Sequence, residues 1–243
     1  KQSFFDIDDF IALISPPAEK QIEELAGKAA EIKNQRFGKT IKLYCPLYIS
    51  NKCSNSCLYC GFKTGNQIIR KTLSYDEIES ESEKIKEFGF DSILIVSGEK
   101  PAEINMDYLL NTVRILKKKF SYIAIEIYPL DENDYKKMEI AGVDGLTLYQ
   151  ETYNKTKYLE VHPAGKKRDY EYRLNSLERG AAAGIKELTC GILLGLYDWR
   201  IDSVFMAMHA KYLMKKYWRS RINFSFPRIR PCASGYNPEY PVS

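Results

Sequence analysis

Histidine is scarce in this sequence, with 2 among 243 residues. A metal site built from several imidazoles would need both, so other ligands are expected at any metal centre. No apolar run approaches the ~20 residues that a membrane span requires, and the N-terminus lacks the charged-then-apolar layout of an export signal. The net charge of +4 is too small to indicate nucleic-acid binding. We therefore expect a cytoplasmic protein that binds neither membrane nor nucleic acid.

Sulfur is the ligand type that the sequence does supply. In a reducing cytoplasm, its 6 cysteines do not indicate a disulfide framework. Any metal chemistry in this protein is therefore expected to use thiolates.

The hydrophobic fraction of 44% is enough to bury a sizeable core, which excludes disorder as the main state.

Apolar runs of strand length alternate with amphipathic helical stretches along the chain. The predicted strands are residues 41–49, 92–96, 122–128, 146–149, 188–194 and 223–229. The predicted helices are residues 18–37, 74–89, 107–119, 133–141, 170–183 and 202–218. This alternation predicts an α/β fold in which parallel strands are joined through crossover helices. Nearly continuous apolar strands indicate that both faces of the sheet are covered.

No linker, low-complexity tract or repeat divides the six βα units. We expect an N-terminal helical extension over residues 1–40 and one βα-barrel over residues 41–243. The length suits a complete (β/α)8 barrel of about 250 residues, but only six strands fit before Pro231. We therefore expect part of a full barrel, lacking about two βα units. Ser243 is then expected to be the N-cap of a following helix.

Three cysteines, Cys53, Cys57 and Cys60, form a C-x3-C-x2-C motif directly after the first predicted strand. Closely spaced thiolates favour zinc or an iron–sulfur cluster, and three ligands would leave one iron of a cubane open to a small molecule. The alternatives are buried thiols, or a zinc site completed by a remote cysteine. The remaining cysteines, which could supply that fourth ligand, are Cys45, Cys190 and Cys232.

The cysteine motif, with Tyr59 before its last cysteine, resembles that of the radical S-adenosylmethionine (SAM) enzymes. Further stretches resemble the aromatic amino acid lyase branch of this superfamily, and most of all the tyrosine lyases of thiamine biosynthesis. They cover residues 46–51, 149–154, 170–174, 193–200 and 225–231. The resemblance implies a parallel βα-barrel of radical SAM type, a [4Fe–4S] cluster on the three cysteines, and SAM bound to its open iron.

The resemblance also implies roles for other side chains. Ser97, Gly98 and Glu99 are similar to the family's Gly-Gly-Glu motif, which receives the SAM amino group; Ser97 replaces the first glycine. The other expected SAM contacts are Tyr59 at the adenine, Glu126, Glu151 and Arg173. The expected substrate contacts are Ser225, Arg228 and His162. By contrast, the basic run over residues 166–168 is expected to be solvated, although it could meet a partner protein.

The implied reaction is radical cleavage of the Cα–Cβ bond of L-tyrosine to 2-iminoacetate and p-cresol, serving the thiazole moiety of thiamine. A one-electron reductant of flavodoxin or ferredoxin type is expected to reduce the cluster, and thiazole synthase to receive the unstable product. The nearest alternative is a tyrosine-cleaving maturase that supplies carbon monoxide and cyanide to [FeFe]-hydrogenase. A non-enzymatic iron–sulfur module and an inactive paralogue are the others.

Overall fold

The computed structural model describes residues 6–242, which contain one parallel sheet of six strands in the order β1 to β6. The strands are β1 (Cys45–Ser50), β2 (Ser92–Ser97), β3 (Tyr122–Glu126), β4 (Gly145–Glu151), β5 (Glu187–Ile192) and β6 (Arg221–Ser225). The helices are α1 (Ile7–Leu13), α2 (Ile22–Phe37), α3 (Tyr75–Glu87), α4 (Met106–Lys117), α5 (Glu132–Ala141), α6 (Lys155–Val161), α7 (Tyr170–Leu174), α8 (Ser176–Ala182) and α9 (Trp199–Lys216). Short 3-10 helices span Pro16–Gln21 and Lys166–Arg168. The predicted α/β fold of six parallel strands is confirmed.

Burial of the strands explains why they are apolar almost throughout. On β2, Ile93 and Ile95 are completely buried, and Ile123 and Ile125 on β3 are their register partners. Helices α3, α4, α8 and α9 pack against the sheet. Full burial of an aliphatic side chain contributes about 1.5–3 kcal/mol, so this core supplies much of the drive to fold.

The carboxyl ends of the parallel strands meet at one edge of the sheet, and the backbone is irregular there. The pairing register shifts at Tyr48 to Ser50 and again at Tyr149 to Glu151. Glu151 has a φ of 73°, the only positive φ of a non-glycine residue in the described part of the chain. Left-handed backbone at a glutamate costs of order 1–3 kcal/mol and persists only where its surroundings impose it.

Several predicted boundaries differ from the observed ones. β1 begins at Cys45 rather than at residue 41, because Ile41 and Leu43 are 74% and 68% exposed and join no sheet pairing. β6 ends at Ser225, two residues before Pro227, which has no N–H to donate to a ladder. The helix predicted over residues 170–183 is divided at Asn175 into α7 and α8.

The sequence pattern did not predict two short helices. α6 starts after Asn154, whose side chain accepts a hydrogen bond from the Lys157 N–H at 2.9 Å, and it buries Tyr158 and Val161. Seven residues give too few turns for apolar periodicity to be recognisable. The same holds for α1, which is also seven residues long.

Of the N-terminal helices, α1 lies beside α9. The helix predicted over residues 18–37 is a 3-10 turn followed by α2, and α2 buries no residue. α1 contacts α9, and the Arg200 Nε donates to the Ile14 carbonyl at 2.9 Å. Residues 1–5 and Ser243, including the expected N-cap, lie outside the described residues. Within residues 6–242, no helix combines the length and apolarity needed to cross a bilayer.

The capping box at the start of α3 gives the first prediction. The Ser74 hydroxyl accepts from the Glu77 N–H at 3.2 Å, and the Glu77 carboxylate accepts from the Ser74 N–H at 2.9 Å. We expect Ser74→Ala to lower the free energy of unfolding by about 1 kcal/mol in urea titrations. Ser80→Ala, at an exposed position inside the same helix, should stay within about 0.5 kcal/mol of wild type. Equal effects of the two substitutions would contradict the capping role.

Candidate functional site

A cavity of about 300 Å³ opens among the carboxyl ends of the strands. Its wall brings together most of the predicted cluster and SAM residues, which lie far apart in sequence. They are Cys53, Cys57, Tyr59, Cys60, Ser97, Gly98, Glu99, Glu126, Glu151 and Arg173. A larger depression of about 760 Å³ lies outside this cavity and shares Glu99, Tyr128, Lys167 and Arg173 with it. Since it contains none of the cysteines, we treat the smaller cavity as the candidate site.

The three motif cysteines share the cavity but differ in environment. Burial raises the pKa of the Cys57 thiol to about 11, against the opposing positive charge of Lys167. Burial also raises the pKa of Cys60, whose sulfur accepts a hydrogen bond from the Phe62 N–H at 3.4 Å. Thiols of this kind become thiolates when a metal binds and supplies positive charge.

This donor set fits an iron–sulfur cluster. Three thiols on one loop leave one iron of a cubane without a protein ligand, and hydrogen bonds to sulfur such as that from Phe62 are typical of cluster ligation. No group of three or more His, Cys, Asp or Glu side chains in residues 6–242 is spaced to hold a single metal ion. The wall also holds the Ser97 hydroxyl, which is buried and has no hydrogen-bond partner among the described residues. An unsatisfied hydroxyl of this kind suits a polar ligand.

The other cysteines lie apart from the cavity wall. Cys190 is fully buried in β5, and Cys45 is partly buried at the start of β1. Cys232 is exposed beside the motif, and its Sγ lies 3.5 Å from the Tyr59 carbonyl oxygen.

Asn55, between the first two motif cysteines, connects three loops and is 1% exposed. Its Nδ2 donates to the Glu99 carboxylate at 2.6 Å, and its Oδ1 accepts from the Lys167 N–H at 3.0 Å. Its carbonyl accepts from the Thr64 N–H at 2.8 Å. The sequence prediction missed this residue, although its position inside the motif was a possible signal. Through Asn55, the cysteine loop, the loop after β2 and the turn before α7 become one unit.

Gly98 allows the loop after β2 to pass against the cysteine loop. A Cβ at this position would lie 2.4 Å from the Lys52 carbonyl oxygen. That oxygen belongs to the backbone and cannot move aside as the end of a flexible side chain could. Beyond it, the Glu99 carbonyl accepts from both the N–H and the hydroxyl of Ser54, each at 2.9 Å. The glycine is therefore required by close approach of two backbones.

The basic run over residues 166–168 predicts a solvated lysine at position 167, but the Lys167 side chain is largely buried. Its side chain is 15% exposed, and its ammonium lies 2.6 Å from the Glu151 carboxylate. The Arg173 Nη2 contacts the same oxygen at 3.3 Å, while its Nε donates to the Tyr149 carbonyl at 2.7 Å. Burial acts to raise the pKa of Glu151, but these two cations outweigh it and hold the pKa below its ordinary value. Loss of one partner from a buried ion pair costs about 3–5 kcal/mol.

His162, the third predicted substrate contact, is not among the residues that line the described cavity. It is fully buried at the C-terminal end of α6, and burial lowers its pKa to about 3. Its Nδ1–H donates to the Tyr158 carbonyl at 2.7 Å, which leaves Nε2 to accept from the Tyr59 hydroxyl at 2.8 Å. Both nitrogens are thus used, and the geometry gives His162 the task of holding Tyr59.

Three polar side chains from different strands are connected by hydrogen bonds. The Tyr149 hydroxyl lies 3.4 Å from the Glu126 carboxylate and 3.3 Å from the Ser225 hydroxyl. Burial, with the nearby Glu151 charge, raises the pKa of Glu126 to about 7, so this carboxyl can carry a proton near neutral pH. Gly191 provides room for the Tyr149 ring, because a Cβ there would lie 2.1 Å from its Cδ1.

The two predicted carboxylate contacts occupy different surroundings. Ser225 lines a second cavity of about 230 Å³, which shares Thr147 and Tyr149 with the cysteine cavity. The Arg228 side chain is exposed and lines neither cavity, while its backbone bridges to Leu194. The structure therefore places Ser225 at a cavity that adjoins the cysteine cavity, but it places Arg228 at neither.

Asp202 on α9 holds the end of β4 and was also missed from the sequence. Its buried carboxylate accepts from the Thr152 hydroxyl at 3.0 Å and from the Tyr153 N–H at 2.8 Å. Burial raises the pKa of Asp202 from an ordinary value of 3.8 to about 6. These bonds follow directly on the left-handed residue Glu151, so they help to impose its backbone conformation.

As a whole, the site can hold an iron–sulfur cluster beside a polar wall of mixed charge. The carboxylates of Glu99 and Glu151 can receive an ammonium group, and Arg173 can receive a carboxylate. An amino acid group bound next to the open iron would meet both requirements.

Comparison with known proteins agrees with this chemistry. The family model of the radical SAM superfamily matches residues 47–208. The 2-iminoacetate synthase of Escherichia coli K12 is 44% identical over 95% of this chain, and that of Salmonella typhimurium LT2 is 42% identical over 95%. The chain spans 62% of the length of each of these relatives.

A solved structure is also similar. The crystal structure of HydG, a maturase of the [FeFe]-hydrogenase, superposes with a TM-score of 0.87 at 32% identity. The match covers 93% of this chain and 51% of HydG.

The close approach at Gly98 gives a prediction for cluster assembly. We expect Gly98→Ala to push the cysteine loop away from β2, at a cost of about 1–3 kcal/mol, and to lower the iron and sulfide bound after anaerobic reconstitution. Gly27→Ala is the control, since a Cβ at that helical position meets nothing within 4 Å. Full iron loading of Gly98→Ala would contradict the required close approach.

The raised pKa of Asp202 gives a pH prediction. The folded protein binds this proton more tightly than the unfolded chain, so ionisation of Asp202 costs folded stability as pH rises from 3.8 to about 6. Asp202→Asn retains an acceptor oxygen and removes the titration. As the pH rises through this window, the free energy of unfolding of wild type should fall by about 3 kcal/mol relative to that of Asp202→Asn.

Urea unfolding at several pH values measures this difference. Asp202→Ala, which also loses the acceptor, should be less stable than Asp202→Asn throughout, by about 1–3 kcal/mol. If wild type and Asp202→Asn kept a constant difference from pH 3.8 to about 6, the buried ionisation would be excluded.

Proposed function

This chain belongs to the radical SAM superfamily, and from that premise we propose that it is a carbon–carbon lyase acting on L-tyrosine. The reaction breaks the Cα–Cβ bond and yields 2-iminoacetate and p-cresol, for the thiazole moiety of thiamine. The observation that carries the proposal is the single cavity in which the cysteine loop, the Ser97–Gly98–Glu99 loop and the Glu151–Arg173 pair meet. The choice of tyrosine is supported by the likeness to 2-iminoacetate synthase.

In this proposal Cys53, Cys57 and Cys60 hold a [4Fe–4S] cluster, and the remaining wall holds SAM. Glu99 and Glu151 receive the amino group, and Arg173 receives the carboxylate, because each pairing joins opposite charges in a largely buried place. Ser97 offers its free hydroxyl, Gly98 its backbone, and Tyr59 its ring for the adenine. Glu126 is assigned to the ribose hydroxyls.

When bound, the cluster and SAM supply one-electron chemistry that generates a radical able to abstract hydrogen from the substrate. The task of this chain is to place the substrate within reach and to keep water and stray hydrogen donors away. The apolar strands below the site and the fixed rings of Tyr59 and Tyr149 serve that purpose. Glu126, whose pKa is near 7, can hold a proton on its carboxyl, and Tyr149 connects it to Ser225.

For tyrosine, we assign Ser225 and Arg228 to the substrate carboxylate, since a guanidinium binds carboxylates through two parallel hydrogen bonds. Arg228 would have to turn inward to do so. The substrate contact predicted for His162 stays a prediction; both of its ring nitrogens are bonded, so we propose that it acts through Tyr59.

The proposal extends to organisation and partners. We assign residues 1–40 to an N-terminal extension and residues 41–243 to the radical SAM βα-barrel unit. The protein works in the cytoplasm, where a reductant of flavodoxin or ferredoxin type delivers the electron. Because an imine of this kind hydrolyses readily, we further propose direct transfer of 2-iminoacetate to thiazole synthase.

The likeness to HydG supports a second candidate, a tyrosine-cleaving maturase. Both candidates release p-cresol, so that product does not separate them. Formation of cyanide or carbon monoxide separates them, because only the maturase is expected to produce these two molecules.

Anaerobic reconstitution followed by reaction with SAM, dithionite and tyrosine tests the proposal. We expect 5′-deoxyadenosine and p-cresol in comparable amounts, with glyoxylate as the hydrolysis product of 2-iminoacetate. Cys53→Ala should abolish both main products, because it removes a cluster ligand. Cys190→Ala is the matched control: its thiol is buried in β5, away from the cavity, and its activity should persist.

The other outcomes each point elsewhere. Deoxyadenosine without p-cresol would indicate another substrate, and cyanide or carbon monoxide would indicate the maturase. A cluster with an EPR spectrum indifferent to SAM would indicate a non-enzymatic iron–sulfur module.

A further inference from the structure

Lys167 is a largely buried cation to which neither the sequence pattern nor the proposed reaction gives a task. Its ammonium lies 2.6 Å from the Glu151 carboxylate, closer than the 3.3 Å of the Arg173 guanidinium. Its neighbour Lys166 is exposed and lines only the outer depression. Two adjacent lysines thus differ sharply in surroundings, and only one of them faces the cysteines.

The backbone of Lys167 is fixed from both sides. Its N–H donates to Asn55 inside the cysteine motif at 3.0 Å, and its carbonyl accepts from the Tyr158 hydroxyl. Gly165 makes this possible with a φ of 97°, since a Cβ there would lie 2.1 Å from the Asn55 Oδ1. The position of the ammonium is therefore set by the cysteine loop and not by a mobile surface turn.

The ammonium also lies over the ring of one residue of the cysteine motif. Its Nζ is 5.6 Å from the centre of the Tyr59 ring, and Tyr59 directly precedes Cys60. Lys167 and the three cysteines line the same cavity. Lys167 and Arg173 are the two cations among the residues that line this cavity, and Glu99, Glu126 and Glu151 are its carboxyl groups. Loss of the Lys167 charge would therefore make the wall beside the cysteines more negative.

A positive charge in a poorly solvated site favours the more negative state of a nearby redox centre. We propose that Lys167 is a positioning residue with two effects: it holds the Glu151 carboxylate in the orientation that receives the SAM amino group, so that SAM binds more tightly, and its charge makes a cluster on the cysteines easier to reduce. This inference rests on the proposed function, because it requires the cluster.

The test compares Lys167→Met with Lys166→Met, which removes the same charge one residue away. EPR-monitored redox titration without SAM gives the midpoint potential, and binding of SAM to the unreduced protein gives Kd. For Lys167→Met we expect a tenfold less favourable reduction, equivalent to ~59 mV for one electron, and about tenfold weaker SAM binding. Lys166→Met should match wild type in both, and Lys167→Arg should retain the wild-type potential.

A second substitution keeps the test independent of how well Lys167→Met folds. Glu151→Gln leaves both cations and removes the anion, so its midpoint potential without SAM should move in the positive direction. The inference is overturned if Lys167→Met has the potential of Lys166→Met, or if Glu151→Gln does not raise the potential. A wild-type protein that binds no reducible cluster would instead refute the proposed function.

Discussion

The buried amide of Asn55 is the contact on which the site depends. It binds the Glu99 carboxylate at 2.6 Å and the Lys167 N–H at 3.0 Å, so one side chain joins loops that lie 44 and 112 residues away in sequence. Each loop is irregular, and none could keep its shape by secondary structure alone. The apolar sheet fixes where the loops start, and Asn55 fixes how they meet.

Charge balance is the second constraint, and it follows from the first. Glu151 has left-handed backbone and a buried carboxylate, an arrangement that would be costly without compensation. Lys167 and Arg173 neutralise the carboxylate, and Asp202 holds the two residues that follow it. The strain lies where β4 reaches the cavity, so the protein maintains an ordered polar wall at the place where a charged ligand would bind.

Features that depend on local sequence could be predicted, and features that depend on distant partners could not. The strand runs, the capping box of Ser74 and Glu77 and the grouping of polar residues beyond the strands follow from short-range patterns. The burial of Lys167 does not, because it requires Asn55 from another loop. Similarly, His162 resembled an accessible loop residue, and only the packing of α6 shows both ring nitrogens occupied. Resemblance named the cysteines, Glu151 and Arg173 but gave no indication of Lys167, the other cation that holds Glu151.

The central claim is that the cysteine loop and the polar wall form one site in which an amino acid group binds next to a cluster iron. Electron–nuclear double resonance on the reduced protein, with SAM labelled isotopically at its amino nitrogen, measures that proximity directly. The account predicts a resolved hyperfine coupling between the cluster and the labelled nitrogen. A reduced cluster that binds SAM without any such coupling would contradict it.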